Sequence, residues 1–499
     1  MRLAELLEAL GPAALARLPA AQLETPIGGV AFDSRSVRRG VVFVARHGTR
    51  ADGHAFVAAA AEAGAAAIVG SLPLRPEVDA LLRQRAIPYL RVPEPAQALG
   101  LIAAQLAGNP ASALALVGVT GTNGKTTVTT LLYQLFSQLG YRCGLIGTAG
   151  IRIAGERLPA THTTPDPVAL QRLLARMVRA GCSHCFLEVT SHAIDQRRTA
   201  GVEFAGGIFT TLGHDHLDYH GTIEAYARVK QRFFTQLPAG AFALANADDP
   251  RARFMIAHSR AQTSFYGSRP GTALPWSLEH CDEHGMTVRL GPERVRSRLI
   301  GEPSASNLAA AATATLLLGE ELARVLAVVP TLRGARGRMQ PVVAGPVLGL
   351  VDYAHTPEAV LLALATGRRL RPEGRLIAIA GCGGDRDAEK RTPIGAALAT
   401  ADAAVFTSDN PRSEQPQAIV AAMLAGVPAH RRSRIHVELD RRRALALAAR
   451  LARPGDIVLA LGKGHETGQQ IGATSQPWDD AAELRAALLP SRQGELTAR

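Results

Sequence analysis

Apolar residues fall along this chain in short buried-looking runs separated by alanine-rich stretches of helical spacing. In the first hundred residues the runs are Val41–Ala45, Ala66–Val69 and Tyr89–Val92, the pattern of a small α/β unit. The opening stretch MRLAELLEALGPAALARL carries acids within its apolar pattern and reads as a helix, not a secretory leader. Gly108-Asn109-Pro110 marks a linker. Beyond it, runs at Leu145–Gly147, His184–Val189, Gly207–Thr211 and Ala241–Asn246 each end in polar residues. Such runs predict a mostly parallel sheet whose ligands gather at the carboxyl ends of its strands. After Gly337-Arg338-Met339-Gln340 the rhythm restarts, with runs at Val347–Val351, Arg375–Ala380, Ala403–Thr407 and Asp456–Leu461 alternating with helical segments. That is a second doubly wound unit. The expected organisation is therefore three α/β domains: 1–110 small and N-terminal, 111–338 central, and 339–499 C-terminal and Rossmann-like, with a tail fraying after about Leu489.

One junction between these patterns carries chemistry directly. Residues 113–136 read ALALVGVTGTNGKTTVTTLLYQLF: a β-branched run, a turn, then an amphipathic helix. A strand, a glycine turn, Lys-Thr and a helix together form a phosphate cradle. Gly121, Thr122, Asn123 and Gly124 would bring backbone N–H groups to a triphosphate. Lys125 would reach its β/γ oxygens, and the hydroxyl of Thr126, followed by Thr127, would ligate Mg²⁺. The commonest spacing requires glycine five residues before Gly124, yet that position is Val119 and Gly118 comes one residue early. The loop is a variant, expected to bind ATP.

Charge and composition narrow the partners. The chain of 499 residues has a formal net charge of +12 and a pI near 10.1. Its basic residues are mostly scattered arginines with short clusters at Arg431-Arg432 and Arg441–Arg443, and no long basic run is interleaved with aromatics. This favours a solvated arginine-rich surface with a bias toward phosphorylated, acidic ligands over nucleic-acid binding. No window approaches the roughly 18 apolar residues of a membrane span. Among five cysteines, Cys182-x-x-Cys185 has no second pair for zinc, so reduced thiols and a cytoplasmic location are expected.

Four polar clusters follow the predicted strands. Glu188-Val189-Thr190-Ser191-His192 places a carboxylate where Mg²⁺ would take a hard oxygen ligand. His214-Asp215-His216-Leu217-Asp218-Tyr219-His220 packs three histidines and two aspartates into seven residues, with Lys230 following at helical spacing. A structural zinc site is an alternative there, though no cysteine lies near. Gly381–Asp387 (GCGGDRD) forms the third cluster. Asp409-Asn410-Pro411-Arg412, with Gly462–Glu466 (GKGHE), forms the fourth. Each Gly-rich loop alone is equally an ordinary turn, but three at successive strand ends predict a binding crevice.

TGTNGKTT, EVTSHA, HDHLDYHGT with Lys230, VDYAHTP, GCGGDRD, DNPR and GKGHE occur in the order seen in Mur ligases. The chain resembles that family over nearly its whole length, most strongly from Val117 to Glu466. Its nearest likeness is to the branch that adds meso-2,6-diaminopimelate to UDP-N-acetylmuramoyl-L-alanyl-D-glutamate (UDP-MurNAc-L-Ala-D-Glu) in peptidoglycan synthesis. The resemblance implies a cytoplasmic, monomeric enzyme using ATP and Mg²⁺, with the substrate carboxylate activated as an acyl phosphate. It further implies that Lys125 neutralises phosphate and that Thr126 and Glu188 hold one metal. His216 and a carbamylated Lys230 would serve a second, the carbamate being derived from CO₂. By the same resemblance Asn307, Arg338 and Asp352 contact the nucleotide. Phe32, Ser34, Thr49, Arg50 and Ala51 hold the uridine nucleotide, and Thr163, Thr164, Thr190, Gln196 and Arg198 hold the muramoyl-dipeptide. Thr190 replaces the family's usual serine but keeps the hydroxyl.

The amine is expected to be chosen by Asp409-Asn410-Pro411-Arg412, with Arg386, Gly462 and Glu466 beside it. Diaminopimelate differs from lysine by a carboxylate that an arginine fork pairs bidentately, whereas lysine would leave Arg412 unpaired. Three other readings compete. DNPR opposes a lysine-adding relative. The uridine-site marks oppose a folylpolyglutamate synthetase. A nucleotide-dependent switch would need neither the second metal cluster nor the third domain.

Overall fold

The computed structural model describes residues 1–11, 18–48, 51–343 and 345–489. Thr49, Arg50 and nearly all of the predicted frayed tail lie outside them. The predicted N-terminal helix forms over Leu3–Leu7 with a tighter turn Glu8–Leu10, broken at Gly11, whose φ of +89° leaves the helical region; residues 12–17 of that stretch lie outside the described residues.

Three sheets organise the chain. The first is all-parallel, in the order Gly29–Ala31, Val41–Val44, Ala67–Gly70, Tyr89–Arg91. The helix Pro95–Leu106 then runs into Gly108 and Asn109, both with positive φ, before Pro110 starts a short turn. The predicted linker is thus a sharp backbone reversal.

The second sheet has eight strands, ordered Gln262–Tyr266, Phe242–Asn246, Gly206–Phe209, Ala115–Thr120, His184–Glu188, Cys143–Gly147, Gly150–Ile153, Glu156–Leu158. All pairs are parallel except the last two. Ala115–Thr120 lies between Gly206–Phe209 and His184–Glu188, so three polar loops leave adjacent strand ends. The displaced glycine finds its reason here. Gly118 and Val119 are still strand, and a Cβ on Gly118 would lie 2.5 Å from the Phe233 ring. Gly118 is a packing glycine, and the phosphate loop itself begins at Gly121.

The third sheet runs Gln340–Val343, Leu348–Asp352, Ile457–Leu461, Leu376–Ala380, Ala403–Phe406, Ile435–Val437, parallel except for its first pair. The runs read as buried strands all form, to within two residues at either end. Those not foreseen are chiefly edges and hairpins: Gln262–Tyr266, Ile435–Val437, a meander over Trp276–Asp282, Gly285–Leu290 and Glu293–Ser297, and the hairpin Gly468–Ile471 with Thr474–Pro477. Exposed edges carry polar residues, so their apolar signal is weak. The fold class is as expected: three α/β domains, with the sequence-distant strand ends of the second and third sheets facing one crevice.

Candidate active site

The phosphate loop is held by contacts that only glycine permits. Gly121 has φ +149°, and a Cβ there would fall 1.9 Å from Thr210 Oγ1; Gly124 has φ +90°, with Asn307 Oδ1 2.6 Å from its would-be Cβ. Thr210 Oγ1 donates to Asn123 O at 2.5 Å, and Thr122 N–H donates to Thr211 O at 2.6 Å, tying the loop to the neighbouring strand end. Lys125 opens the helix Lys125–Gln138, and its Nζ donates to Gly121 O (2.8 Å) and Thr122 O (2.9 Å). Thr126 Oγ1 donates to Glu188 Oε2 at 3.0 Å. Glu188 also accepts from Thr148, by Oγ1–H on Oε2 (3.0 Å) and by N–H on Oε1 (2.8 Å). Gly147 leaves room for this carboxylate, since a Cβ there would sit 2.2 Å from Glu188 Oε1.

Lys230 lies one layer behind. It is fully buried on the helix Ile223–Thr235, and its Nζ donates to Gly121 O at 3.0 Å and stands 4.5 Å from the Tyr226 ring centre. Two lysines therefore share one carbonyl. Burial, followed by the positive field of Lys125, pushes the Lys230 amine well below the ordinary lysine range. Burial also lowers Lys125, against the fields of Glu188 and Asp215.

His216 has φ +56°, and its Nε2 stands 3.4 Å from Asp215 Oδ2. Burial pushes its imidazole down to about 3 despite Asp215. His192 meets it edge-on at 4.8 Å, while His220 Nε2 is engaged by Ser191 Oγ at 3.0 Å. The histidine cluster does not close into a three-ligand zinc site. Among the described residues the only trio close enough is His47, Asp52 and His54, in the N-terminal domain. There Ser71 N–H donates to His54 Nε2 (2.9 Å), which leaves the proton on Nδ1 to donate to Asp52 Oδ1 (2.6 Å). Both His54 nitrogens are committed, and the trio ties His47 and His54 to Asp52 and to the Ser71 backbone instead of holding a metal. The five cysteines are free, four of them buried.

From the third sheet, Arg338 Nη2 donates to Thr126 Oγ1 at 3.3 Å while its guanidinium lies 4.3 Å over the Tyr353 ring. Asp352 accepts from the N–H groups of Met339 (2.7 Å) and Ala354 (2.8 Å), and burial raises its carboxyl. Gly337 and Gly464 touch backbone to backbone: a Cβ on Gly337 would be 2.1 Å from the Gly464 carbonyl carbon. A Cβ on Gly384 would likewise fall 1.9 Å from Pro411 O, so this glycine lets GGD sit on DNPR. Arg412, at φ +52°, donates one Nη1 bond to Gly384 O (2.6 Å). Gly462 has φ +101°, and Asp409 Oδ2 lies 2.5 Å from its would-be Cβ.

These loops rest on a buried clamp. Arg441, with no exposed side-chain surface, donates to Asp480 Oδ1 and Oδ2 (2.8 and 2.6 Å) and to Leu461 O (2.8 Å) and Ser408 O (3.5 Å). Removing one partner strands a buried charge, which costs about 3–5 kcal/mol. Asp480→Ala is therefore expected to destabilise the C-terminal domain by that order, read as a lowered thermal unfolding midpoint.

Of the predicted residues, Thr122–Thr127, Thr163, Glu188, Thr190, His216, Asn307, Arg338, Asp352, Arg386, Asp409, Asn410, Arg412, Gly462 and Glu466 line one crevice of about 660 Å³. Gly121, Thr164 and Lys230 do not line it but support it; Thr164 Oγ1 donates to Glu188 O at 2.7 Å. Pro411 is buried and also off the lining. Phe32, Ser34 and Ala51 stand on the N-terminal domain away from this crevice, and Arg46 stacks 4.8 Å over the Phe32 ring. Gln196 and Arg198 are likewise off the lining. Gln196 Oε1 accepts from Arg198 Nη2 (2.9 Å), and Arg198 Nη1 donates to Thr164 O (2.9 Å). The positive field of Arg198 reaches Arg46, so this pair faces the N-terminal domain. Thr148, Tyr353 and His355 line the crevice without having been singled out. The last two belong to VDYAHTP, and their signal was their place just after a buried run.

A glycine phosphate loop, a threonine–carboxylate pair and an arginine reaching over from a third sheet are the marks of an ATP-dependent ligase of several domains. The chain belongs to the Mur ligase family: the family models described as Mur ligase family, catalytic domain; Mur ligase middle domain; and Mur ligase, glutamate ligase domain match residues 26–106, 119–315 and 337–464. Among its relatives, the UDP-N-acetylmuramoyl-L-alanyl-D-glutamate--2,6-diaminopimelate ligase of Cytophaga hutchinsonii is 43% identical over 468 residues, covering 93% of this chain and 95% of the relative. The ligase of the same name from Chromobacterium violaceum is 44% identical over 479 residues, 94% of this chain and 95% of its own. A solved structure of a ligase of that name is 33% identical with a TM-score of 0.68, over 98% of both chains. The MurF ligase of Thermotoga maritima, solved in complex with ADP, shares the fold at 20% identity and a TM-score of 0.60, over 94% of this chain and 98% of that one.

Proposed function

We propose that this chain is an ATP-dependent acid–amino-acid ligase joining meso-2,6-diaminopimelate to the D-glutamyl carboxylate of UDP-MurNAc-L-Ala-D-Glu, a step of peptidoglycan synthesis. The observation that carries the reading is the meeting, in one crevice, of the phosphate loop with Arg412, Asp409 and Glu466. A fuel site and a site fit for a diamino diacid open on the same space.

In this reading residues 1–110 bind the uridine end, 111–338 bind ATP and 339–499 bind the amino acid. Phe32, Ser34, Thr49, Arg50 and Ala51 take the nucleotide, and Gln196 and Arg198 stand on the path from it to Thr163, Thr164 and Thr190. The γ-phosphate of ATP passes to the substrate carboxylate, giving ADP and an acyl phosphate. A free carboxylate repels an amine, whereas the mixed anhydride supplies phosphate as a leaving group. The amine adds to the carbonyl, loses its proton and expels phosphate. Lys125 offsets the charge of the two anions brought together, and Asn307, Arg338 and Asp352 orient the nucleotide.

The residues present fit Mg²⁺. Thr126 and Glu188 present hard oxygens 3.0 Å apart, and the Glu188 carboxylate occupies a cradle that a side chain at Gly147 would fill. Bound there, the ion supplies charge neutralisation for phosphoryl transfer. His216 and Lys230 would hold a second ion if Lys230 is a carbamate. CO₂ adds only to a neutral amine, and burial beside Lys125 favours that form. The resulting anion would be balanced by Lys125. A cytoplasmic monomer suits the reaction; among the described residues no helix is long and apolar enough to cross a membrane.

Mixing the protein with ATP, Mg²⁺, the UDP-linked dipeptide and either diaminopimelate or lysine tests the reading by phosphate release. Release with diaminopimelate only is expected. Turnover with lysine alone would remove the specificity, and turnover indifferent to both would remove the ligase.

A further inference from the structure

Lys463 has no exposed surface, sits behind the lining residues Asn410, Gly462 and Glu466 of the crevice, and has no part in the chemistry above. Its Nζ donates to Asn410 Oδ1 at 3.0 Å and to Glu466 Oε2 at 2.9 Å, and stands 3.9 Å from Asp409 Oδ1. We propose that Lys463 is the positioning residue of the amino-acid site, fixing Asn410 and Glu466 so that Glu466 Oε1 stays free to accept an ammonium of the diamino diacid. The proposal rests on the functional reading above.

The hydrogen bonds admit one arrangement. Asn410 Oδ1 accepts from both Lys463 Nζ and Gln470 N–H (2.9 Å), so the amide nitrogen must point the other way. It does, and Nδ2 donates to Glu466 Oε2 at 2.8 Å. Oε2 thus takes two donors from the protein, and none of these bonds uses Oε1. Without Lys463, Asn410 Oδ1 would keep only the Gln470 N–H, and Glu466 would lose its charged partner and keep only the Asn410 amide.

Charge points the same way. Asp409 and the half-buried Glu466 come from two different loops to the same Lys463 Nζ, at 3.9 and 2.9 Å, and a substrate ammonium compensates one of them. Lys463 compensates the other. Burial raises the Asp409 carboxyl, Glu466 adds to this, and Lys463 is the strongest opposing influence. The backbone is built for this inward aim. Gly462 and Gly464, with φ +101° and +51°, flank Lys463 and turn it beneath the loop. The ordering of a flexible side chain is completed on folding and not on binding.

The test is steady-state kinetics of full-length Lys463→Met against the unaltered protein. We expect the KM for diaminopimelate to rise about 30-fold, as for loss of one partner from a buried charged hydrogen bond. KM for ATP and for the UDP-linked dipeptide should stay within about twofold. Lys463→Gln, which keeps a donor, should recover part of the loss. It also carries the test if Lys463→Met gives no cooperative melt. A uniform fall in kcat with all three KM values unchanged, or equal rises in all three, would overturn the positioning role. If the unaltered protein does not turn over diaminopimelate, the functional reading fails first and this inference falls with it. Turnover that is normal in both variants removes Lys463 alone.

Discussion

Lys230→Ala is expected to lose on the order of 10³-fold in kcat, with the KM values changed far less. Short carboxylic acids such as formate or acetate should restore part of the rate by placing a carboxylate where the carbamate stood. Lys230→Met is the informative control. It fills the same buried space against Tyr226 and behind Gly121 but offers no amine, so it should be as slow as alanine if chemistry is at stake and near normal if packing is. The pH behaviour has a definite sign. An amine lowered by burial and the field of Lys125 is neutral for a larger fraction of the time than an ordinary lysine at the same pH, which favours addition of CO₂. Acidification shifts the amine toward the ammonium and should slow reactivation of protein stripped of CO₂. An undiminished rate in Lys230→Ala would take this residue out of the mechanism.

The second large effect concerns Arg412. Arg412→Ala should raise the KM for diaminopimelate roughly 10³-fold and reduce discrimination against lysine by a similar factor. Lysine lacks the far carboxylate, so its own poor turnover should hardly change. Arg412→Lys should fall between, since an ammonium pairs as a point charge where a guanidinium makes two parallel bonds. One Nη1 bond, to Gly384 O, is already committed to the loop. Part of the guanidinium fork therefore remains for substrate, held in register by the glycine contact with Pro411. Competition between diaminopimelate and lysine at equal concentration gives the ratio directly.

The parts of this molecule legible in its sequence were those dictated by local chemistry. Buried strands such as Ile457–Leu461 and Leu376–Ala380 are runs with no polar interruption. Exposed edge strands such as Ile435–Val437 carry no such mark. The loop from Gly121 to Thr127 was readable because glycine, lysine and threonine each have a distinct task. Gly118 looked like part of that loop only until the Phe233 ring was seen packed against it. Phosphate-loop and DNPR residues were singled out by motif, whereas Lys463 stood inside GKGHE between two glycines with no role of its own. Its burial depends on Asn410, 53 residues away in the chain. Likewise the clamp Arg441–Asp480 joins one arginine of a short basic cluster, read as a solvated face, to an aspartate 39 residues on. Long-range pairing of this kind leaves no periodic trace.

The contact between Gly337 and Gly464 has a thermodynamic meaning. Gly337 precedes Arg338, which grips Thr126; Gly464 follows Lys463, which braces Glu466. Two glycine backbones in contact act as a joint with no side chain to absorb movement, so seating one loop seats the other. Linkage then requires reciprocity: whatever amount nucleotide adds to the affinity for the amino acid, the amino acid adds to the affinity for nucleotide. An inhibitor built on the diamino diacid would accordingly be judged at its cellular nucleotide concentration, because the same coupling enters its affinity on the loaded protein and not on the empty one.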